Sequence, residues 1–150
     1  MSFITREANV KDFSPITELS TQLGYDSTSG KIKNRLKDIL RNKDHCVFVV
    51  EDGDKIVGWI HAFYSLRIES DSFLEIGGMV VDASHRGKGL GKMLIKKAEE
   101  FCSLKKLKKI RVRCNTIRKQ THGFYEKLGF SEIKEQKIFD KNLDFDLDQF

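Results

Sequence analysis

The sequence predicts an α/β protein with a mixed β-sheet, because strand-like and helix-like segments follow one another in the order β-α-α-β-β-β-α-β-α-β. Two features carry this prediction. A β-branched run with an Asp-Gly turn predicts a hairpin in the first half, and a long amphipathic helix follows a glycine-rich turn in the second. A chain of 150 residues favours a single domain spanning residues 1–150.

The first third is expected to hold one strand and two helices. Residues 3–6 favour a short strand. Apolar residues at helical spacing follow Pro15, which suits a first helical turn, and Gly24 is a typical helix stop. A second helix is predicted over residues 31–40, where four apolar residues form one stripe.

The middle of the chain predicts three strands. Residues 46–50 and 56–64 flank the Asp52-Gly53 turn, and a third strand is predicted over residues 73–81. Two adjacent glycines, Gly77 and Gly78, lie inside that third strand. Because glycine weakens a strand unless a bulge or a close backbone approach requires it, we expect a β-bulge there.

The last third predicts the best-defined helix of the chain, over residues 89–103, where apolar side chains recur on one face. A strand over residues 108–114 and a short helix over residues 121–128 are expected next. One or two strands over residues 130–143 complete the prediction.

Composition excludes several classes of protein. With 39% hydrophobic and 33% charged residues, the chain is typical of soluble proteins, and no apolar run approaches the roughly 20 residues that span a bilayer. No secretory signal is apparent. The three cysteines are far apart and form no CxxC pair, which favours reduced thiols in the cytoplasm over disulfides or a metal site: Cys46, Cys102 and Cys114.

Positive charge is concentrated between Arg86 and Lys119. This segment contains 13 Lys or Arg residues, and its only acidic residues are Glu99 and Glu100. Such a segment could be a solvated face, a nucleic-acid footprint or a site for a polyanionic small molecule. Aromatic residues are not interleaved with the basic residues of 105–113, so a nucleic-acid partner is disfavoured.

Residues 80–92 run from a predicted strand through a glycine-rich turn into the long helix. A helix start offers free N–H groups and a positive dipole, and glycines let a phosphate approach the backbone. A Walker A loop is excluded, because Arg86 stands where its first glycine is required and Met93 where Ser or Thr is required. The dinucleotide pattern GxGxxG also fails, at Lys92.

The pattern that fits is Arg-x-x-Gly-x-Gly, formed by Arg86, Gly89 and Gly91. In this strand–turn–helix context it resembles the coenzyme A pyrophosphate loop of the GNAT family of N-acetyltransferases. Residues 124–130, Phe-Tyr-Glu-Lys-Leu-Gly-Phe, resemble a second motif of that family, and the order of elements also agrees. The resemblance therefore covers nearly the whole chain.

A narrower resemblance is to the branch containing aminoalkylphosphonate and aminoglycoside acetyltransferases. It rests on Glu75-Ile76, Asn115-x-x-Arg118, residues 122–125 and residues 137–143. The commoner family pattern has Asn seven residues before the Tyr, where this chain has Arg118, so Asn115 departs from it.

The resemblance implies a GNAT fold, with a mixed, mostly antiparallel central sheet flanked by about four helices. It implies acetyl-CoA as co-substrate, bound between the strand that carries the glycines and the next strand, and no metal. The backbone of residues 79–81 would pair with pantetheine. The implied cofactor-binding residues are Met79, Val80, Val81, Arg86, Gly87, Lys88, Gly89, Leu90, Gly91, Lys92 and Asn115.

Acetyl transfer to an amine needs a proton acceptor for the ammonium and a proton donor for the departing thiolate. Glu75, in an apolar strand at the expected end of the cleft, is the candidate general base, through water; the alternative is a carboxylate facing solvent. Tyr125 is the candidate general acid; the alternative is a core aromatic. His85 and His122 favour local structural roles over metal binding.

The predicted function is acetyl transfer to the primary amine of a small molecule by direct attack in a ternary complex. The alternatives are an acetyl-CoA-binding regulatory domain without turnover and a protein or peptide N-acetyltransferase. The expected partner is the small amine, with no nucleic acid and no membrane, and the resemblance is compatible with a homodimer.

Overall fold

The structure, a computed structural model, describes residues 2–24 and 28–145, and the chain divides into two compact units, residues 1–113 and 114–150. Within the described residues, the first unit contains five strands and three α-helices. In chain order they are β1 (Phe3–Glu7), α1 (Phe13–Gln22), α2 (Ser29–Leu40), β2 (His45–Asp52), β3 (Lys55–Ser65), β4 (Phe73–Val81), α3 (Leu90–Leu104) and β5 (Ile110–Val112). Short 3-10 helices cover Val10–Asp12 and Ala83–His85.

The sheet has the strand order β1-β2-β3-β4-β5. The first three pairings are antiparallel, whereas β4 and β5 pair in parallel. Parallel neighbours need a crossover, and α3 supplies it. The predicted α/β class and the mixed, mostly antiparallel sheet are therefore confirmed.

Helices cover both faces of the sheet. Val49 belongs to a cluster with residues of α1 and α2, including Ile16, Leu19 and Leu36. The next residue, Val50, points to the opposite face, where a Cβ built at Gly58 would lie 3.4 Å from Leu94 of α3. Burial of each such aliphatic side chain contributes roughly 1.5–3 kcal/mol, so α3 is anchored directly behind the strands that precede it.

A β-bulge lies at Gly77, as predicted. His61 of β3 pairs with Gly78 and Ala62 pairs with Ile76, so Gly77 is the extra residue. A Cβ built at Gly78 would lie 2.8 Å from the Trp59 ring. The two glycines are therefore required because aromatic rings of β3 occupy the space that side chains would take.

The second unit contains α4, Lys119–Lys127. Tyr125 is buried on this helix and contacts Phe124 and Phe130 edge-on, with ring centroids 5.1 and 5.4 Å away. Residues 130–145 form neither a helix nor a strand, whereas one or two strands were predicted over residues 130–143. Four consecutive polar residues, 134–137, interrupt the apolar alternation that a half-buried strand requires.

Other boundaries differ slightly from prediction. The strand expected over 108–114 is limited to the three residues that pair with β4, and α4 begins two residues earlier than expected. Within residues 2–24 and 28–145, no helix is long and apolar enough to cross a membrane.

Candidate active site

The site begins where β4 and β5 separate. Their pairing ends with Ile76 opposite Val112, whereas β4 continues beside β3 as far as Val81. Within the described residues, no strand pairs with the other edge of β4 beyond Ile76. Residues 79–81 thus lie at an open edge of β4, where the backbone groups of alternate residues can pair with an extended ligand.

The turn after β4 is fixed by a buried carboxylate. Asp82 accepts hydrogen bonds from the Ser84 hydroxyl and from Gln22 Nε2, the latter at 2.7 Å, and His85 Nδ1 lies 2.7 Å from its Oδ2. The other nitrogen of His85 lies 3.1 Å from Asp52 Oδ2. The hydrogen bonds from Ser84, Gln22 and His85 hold the pKa of Asp82 well below its usual range.

This network ties the turn to α1 and to the β2–β3 turn. His85 accordingly has the local structural role predicted for it. Within the described residues, no group of three or more His, Cys, Asp or Glu side chains could hold a metal ion.

The glycine-rich turn leads directly into α3. Gly87 and Gly89 have φ angles of 79° and 80°, and a Cβ at either would meet nothing within 4 Å. These glycines are therefore required by the left-handed backbone rather than by crowding. Three basic side chains of the turn and first helical turn are exposed: Arg86, Lys88 and Lys92.

The start of α3 has the properties of an anion site. Gly89 is the N-cap and supplies no side-chain cap, so the first amides of the helix, from Leu90, Gly91 and Lys92, retain donors. The helix dipole and the basic side chains favour negative charge there. Open space in front of the glycines, free amides and basic side chains together fit a pyrophosphate group.

Glu75 lies on β4, two residues before the bulge, and its side chain is 13% exposed. Two arginines flank it: Arg67 Nη2 is 3.7 Å from Oε1, and Arg113 Nε is 3.4 Å from Oε2. The alternative of a solvent-facing carboxylate is thus wrong. Within the described residues, the buried Oε1 of Glu75 accepts no hydrogen bond, and Trp59 Nε1 on the neighbouring strand donates none. Buried polar atoms of this kind are commonly satisfied by an ordered water molecule or by a ligand.

A histidine pair beside the bulge was not predicted from the sequence. His45 Nδ1 lies 2.9 Å from His61 Nε2, and the two rings stack with centroids 5.2 Å apart. Burial, followed by the neighbouring His45, lowers the pKa of His61 to about 4. The available signal was the alternation Trp59, His61, Phe63, which places His61 on one strand face with two aromatic residues.

The remaining predicted residues lie in the second unit. Asn115 forms a turn: its Oδ1 accepts from Ile117 N at 3.1 Å, and its carbonyl accepts from Arg118 N at 3.0 Å. His122 Nε2 lies 2.8 Å from that same carbonyl oxygen, so its role is local. The structure therefore brings Glu75, residues 79–81 and residues 86–92 onto one continuous path in the first unit, whereas Asn115 and Tyr125 belong to the second.

The cysteines do not form a reactive site. Cys46, Cys102 and Cys114 are free thiols, and burial raises the pKa of Cys46 to about 12. Burial also raises the pKa of Cys102 and Cys114. Because a thiolate is the nucleophilic form, these environments disfavour a covalent cysteine mechanism.

Two curated relatives are similar in sequence to part of this chain. The chain is 31% identical over 94 residues to an N-acetylaspartate synthetase of Xenopus tropicalis, covering 63% of this chain and 34% of that protein. It is 35% identical over 89 residues to an L-2,4-diaminobutyric acid acetyltransferase of Shouchella clausii, covering 59% and 48%. The chain thus spans about a third to a half of these relatives.

Solved structures are similar to this chain over more of its length than these relatives are. A glucosamine-6-phosphate N-acetyltransferase from Arabidopsis thaliana superposes with a TM-score of 0.77 at 26% identity, covering 93% of this chain and 100% of that one. An aminoglycoside 6'-N-acetyltransferase from Acinetobacter haemolyticus reaches 0.84 at 18% identity, covering 94% and 99%, which shows the shared fold.

A family model described as the acetyltransferase (GNAT) family matches residues 11–130, which include β4, the glycine-rich turn, α3 and α4. The chain belongs to the acetyltransferase (GNAT) family.

Proposed function

We propose that this protein is a single-domain, cytoplasmic N-acetyltransferase that moves the acetyl group of acetyl-CoA to the primary amine of a small molecule. The main support is the continuity of β4, the basic glycine-rich turn and the start of α3, which offers an open strand edge and an anion site in one path. Relatives whose names describe acetylation of small amines support the same acceptor class.

In this proposal, the glycine-rich turn and the start of α3 hold the pyrophosphate through side-chain charge and helix amides. The residues concerned are Arg86, Gly87, Lys88, Gly89, Leu90, Gly91 and Lys92. The backbone of Met79, Val80 and Val81 pairs with the pantetheine arm, and Asn115 makes a further contact. Acetyl-CoA supplies the thioester carbonyl that the amine attacks directly in a ternary complex.

The acceptor must lose a proton, because an alkylammonium resembles lysine, whose pKa is near 10.4. Glu75 accepts that proton through water; its buried Oε1, which accepts no hydrogen bond from the described residues, is an acceptor near the bulge. Tyr125 donates a proton to the departing thiolate, since a phenol is protonated at neutral pH. Binding acetyl-CoA and the amine together at the open edge of β4 also accelerates the reaction, because it holds the two reactants close to each other.

The test is a panel of amines assayed for release of free thiol from acetyl-CoA, with a parallel melting measurement. Acetyl-CoA at 100 times its dissociation constant should stabilise the fold by roughly 2.7 kcal/mol. Thiol release with small primary amines supports the proposal. Acetyl-CoA binding without turnover would instead indicate a regulatory domain, and acetylation confined to peptides would indicate a protein acetyltransferase.

A further inference from the structure

His85 lies between two carboxylates immediately before the glycine-rich turn. Its Nδ1 is 2.7 Å from Oδ2 of Asp82, and its Nε2 is 3.1 Å from Oδ2 of Asp52. The side chain is only 14% exposed, and its ring packs against Phe3 of β1 in a T-shaped arrangement, with centroids 6.4 Å apart. One imidazole therefore joins the segment after β4 to the end of β2.

Both contacts are hydrogen bonds only in the protonated form of the ring. A carboxylate oxygen accepts, and each ring nitrogen donates only when it carries a proton. A neutral imidazole has a single N–H, so it can donate to one carboxylate while the lone pair of its other nitrogen faces the second. Because the pKa of Asp82 lies well below its usual range, Asp82 stays an acceptor, and loss of the His85 proton breaks one of the two contacts.

The two carboxylates are the charged groups that contact the ring. Phe3 of β1 is apolar, Ser84 is a neutral hydroxyl, and Gln22 of α1 is a neutral amide that donates to Asp82. Lys55, which pairs with Asp52 across the hairpin, and Arg86, which follows His85 in the chain, are both exposed. We call Asp82, His85 and Asp52 the carboxylate–imidazole bridge.

The bridge fixes the chain where the anion site begins. The amide of Asp82 donates to the carbonyl of Val57 at 2.8 Å, and the amide of Ala83 donates to Gln22 Oε1 at 3.0 Å. Residues 86–89 are then exposed until Leu90, which is buried at the start of α3. His85 is therefore the last partly buried side chain before the turn, so its position determines where the turn starts.

We propose that protonated His85 is a positioning residue for acetyl-CoA, which holds residues 86–92 in the conformation that receives the pyrophosphate by bridging Asp82 and Asp52. This inference rests on the proposed function and adds a residue and its protonation state to the cofactor site. Because His85 acts through the turn, its loss should raise the KM for acetyl-CoA and leave kcat near its original value. Histidine in peptides loses its proton near pH 6.5, so the affinity contributed by the bridge is present in weak acid and is lost as the pH rises.

The experiment is a calorimetric titration of acetyl-CoA into the wild type and three variants between pH 6 and pH 8.5. His85→Gln has one side-chain nitrogen and can serve only one carboxylate, as neutral histidine does. At pH 6 it should therefore bind acetyl-CoA about threefold to tenfold more weakly than the wild type, because one charge-assisted hydrogen bond is missing. At pH 8.5 the two proteins should bind with similar affinity.

Asp52→Asn tests the bridge without changing the histidine. The amide of Asn both donates and accepts, so it can pair with Nε2 of His85 in either protonation state. The affinity of the wild type should fall about threefold to tenfold relative to Asp52→Asn as the pH rises. Asp54→Asn removes the same charge from an exposed position of the same turn and should keep the wild-type profile. A phosphate monoester of the ligand also titrates near pH 6, but this contribution is common to all four proteins and cancels in the comparison.

A readout without ligand is the titration of the His85 ring nitrogens, followed by NMR of histidine labelled with ¹⁵N. Resonances absent from His85→Gln belong to His85, and their titration should move to lower pH in Asp52→Asn, because a carboxylate that favours the imidazolium is gone. An unmoved titration would refute the bridge even if His85→Gln does not fold.

Parallel affinity profiles for the wild type and Asp52→Asn would overturn the role of His85 while leaving the proposed function intact. So would wild-type affinity of His85→Gln at pH 6, or a kcat that falls in that variant while the KM for acetyl-CoA stays unchanged. A wild-type protein that neither binds acetyl-CoA nor releases thiol from it would instead overturn the proposed function.

Discussion

A Cβ atom built at Gly77 would lie 2.6 Å from His61 Nδ1, so the bulge in β4 accommodates the His61 ring only because position 77 has no side chain. His61 is in turn held by His45, and its ring lies tilted against that of Phe63, with centroids 5.7 Å apart. The shape of the strand next to the candidate base therefore depends on a glycine–histidine contact.

Gly77→Ala should lower the free energy of unfolding by about 1–3 kcal/mol, because overpacking forces the ring or the strand to move. It should also reduce kcat/KM, since the bulge adjoins Glu75. Gly30→Ala is the control: Gly30 lies in α2 with nothing within 4 Å of its Cβ, and alanine there should stabilise the helix. Chemical denaturation measures both, and equal behaviour of the two variants would contradict the prediction.

Stability should fall in acid partly because of His61. Its pKa is lowered to about 4 from 6.5, so the unfolded chain binds this proton at a higher pH than the folded one. The free energy of unfolding should therefore fall as pH drops from 6.5 to 4, by up to about 3 kcal/mol. His61→Gln should flatten this part of the profile, whereas parallel profiles for the two proteins would show that His61 does not contribute.

Gly89→Ala should weaken acetyl-CoA binding by about tenfold or more, because a side chain obstructs close approach of a phosphate to the helix amides. Gly53→Ala is the matched control, since Gly53 also has a positive φ, 62°, and open space around its Cβ. Both variants carry about 1 kcal/mol of backbone strain. Calorimetric titration should separate them; similar affinities would exclude the turn as the pyrophosphate site.

Glu75→Gln should lower kcat by roughly 10²-fold to 10⁴-fold, because the amide cannot accept the proton. Acetyl-CoA affinity should be preserved. Glu69→Gln makes the same charge change at an exposed neighbour of Arg67 and should leave kcat near its original value. If Glu75→Gln retains full turnover, the base must be another group.

Tyr125→Phe keeps the ring contacts with Phe124 and Phe130, so packing and acetyl-CoA affinity should barely change. Loss of the acid should lower kcat by roughly 10²-fold to 10⁴-fold and shift the high-pH limb. A smaller effect is expected if the thiolate, with a pKa near 8.5 like free Cys, leaves well without help. Unaltered kcat together with an unaltered high-pH limb would reduce Tyr125 to a core aromatic.

Local sequence patterns were sufficient to predict most of the helices and strands of the first unit. The Asp-Gly hairpin, the amphipathic helices and the paired glycines of β4 each have a nearby sequence signal, and the corresponding elements are present. The termination of β5 after Val112 and the packing of Arg67 beside Glu75 depend on residues distant in sequence. The His45–His61 contact likewise joins two strands, and no spacing rule identifies it.

Beyond Ile76, the outer edge of β4 carries backbone N–H and C=O groups that β5 does not pair. An unpaired strand edge is a template for any other extended chain, including another copy of the same protein. A ligand that lies along residues 79–81 would compete with such contacts. Solubility and resistance to aggregation should therefore depend on whether this edge is covered, so the opening proposed to admit the ligand is also a place where self-association can begin.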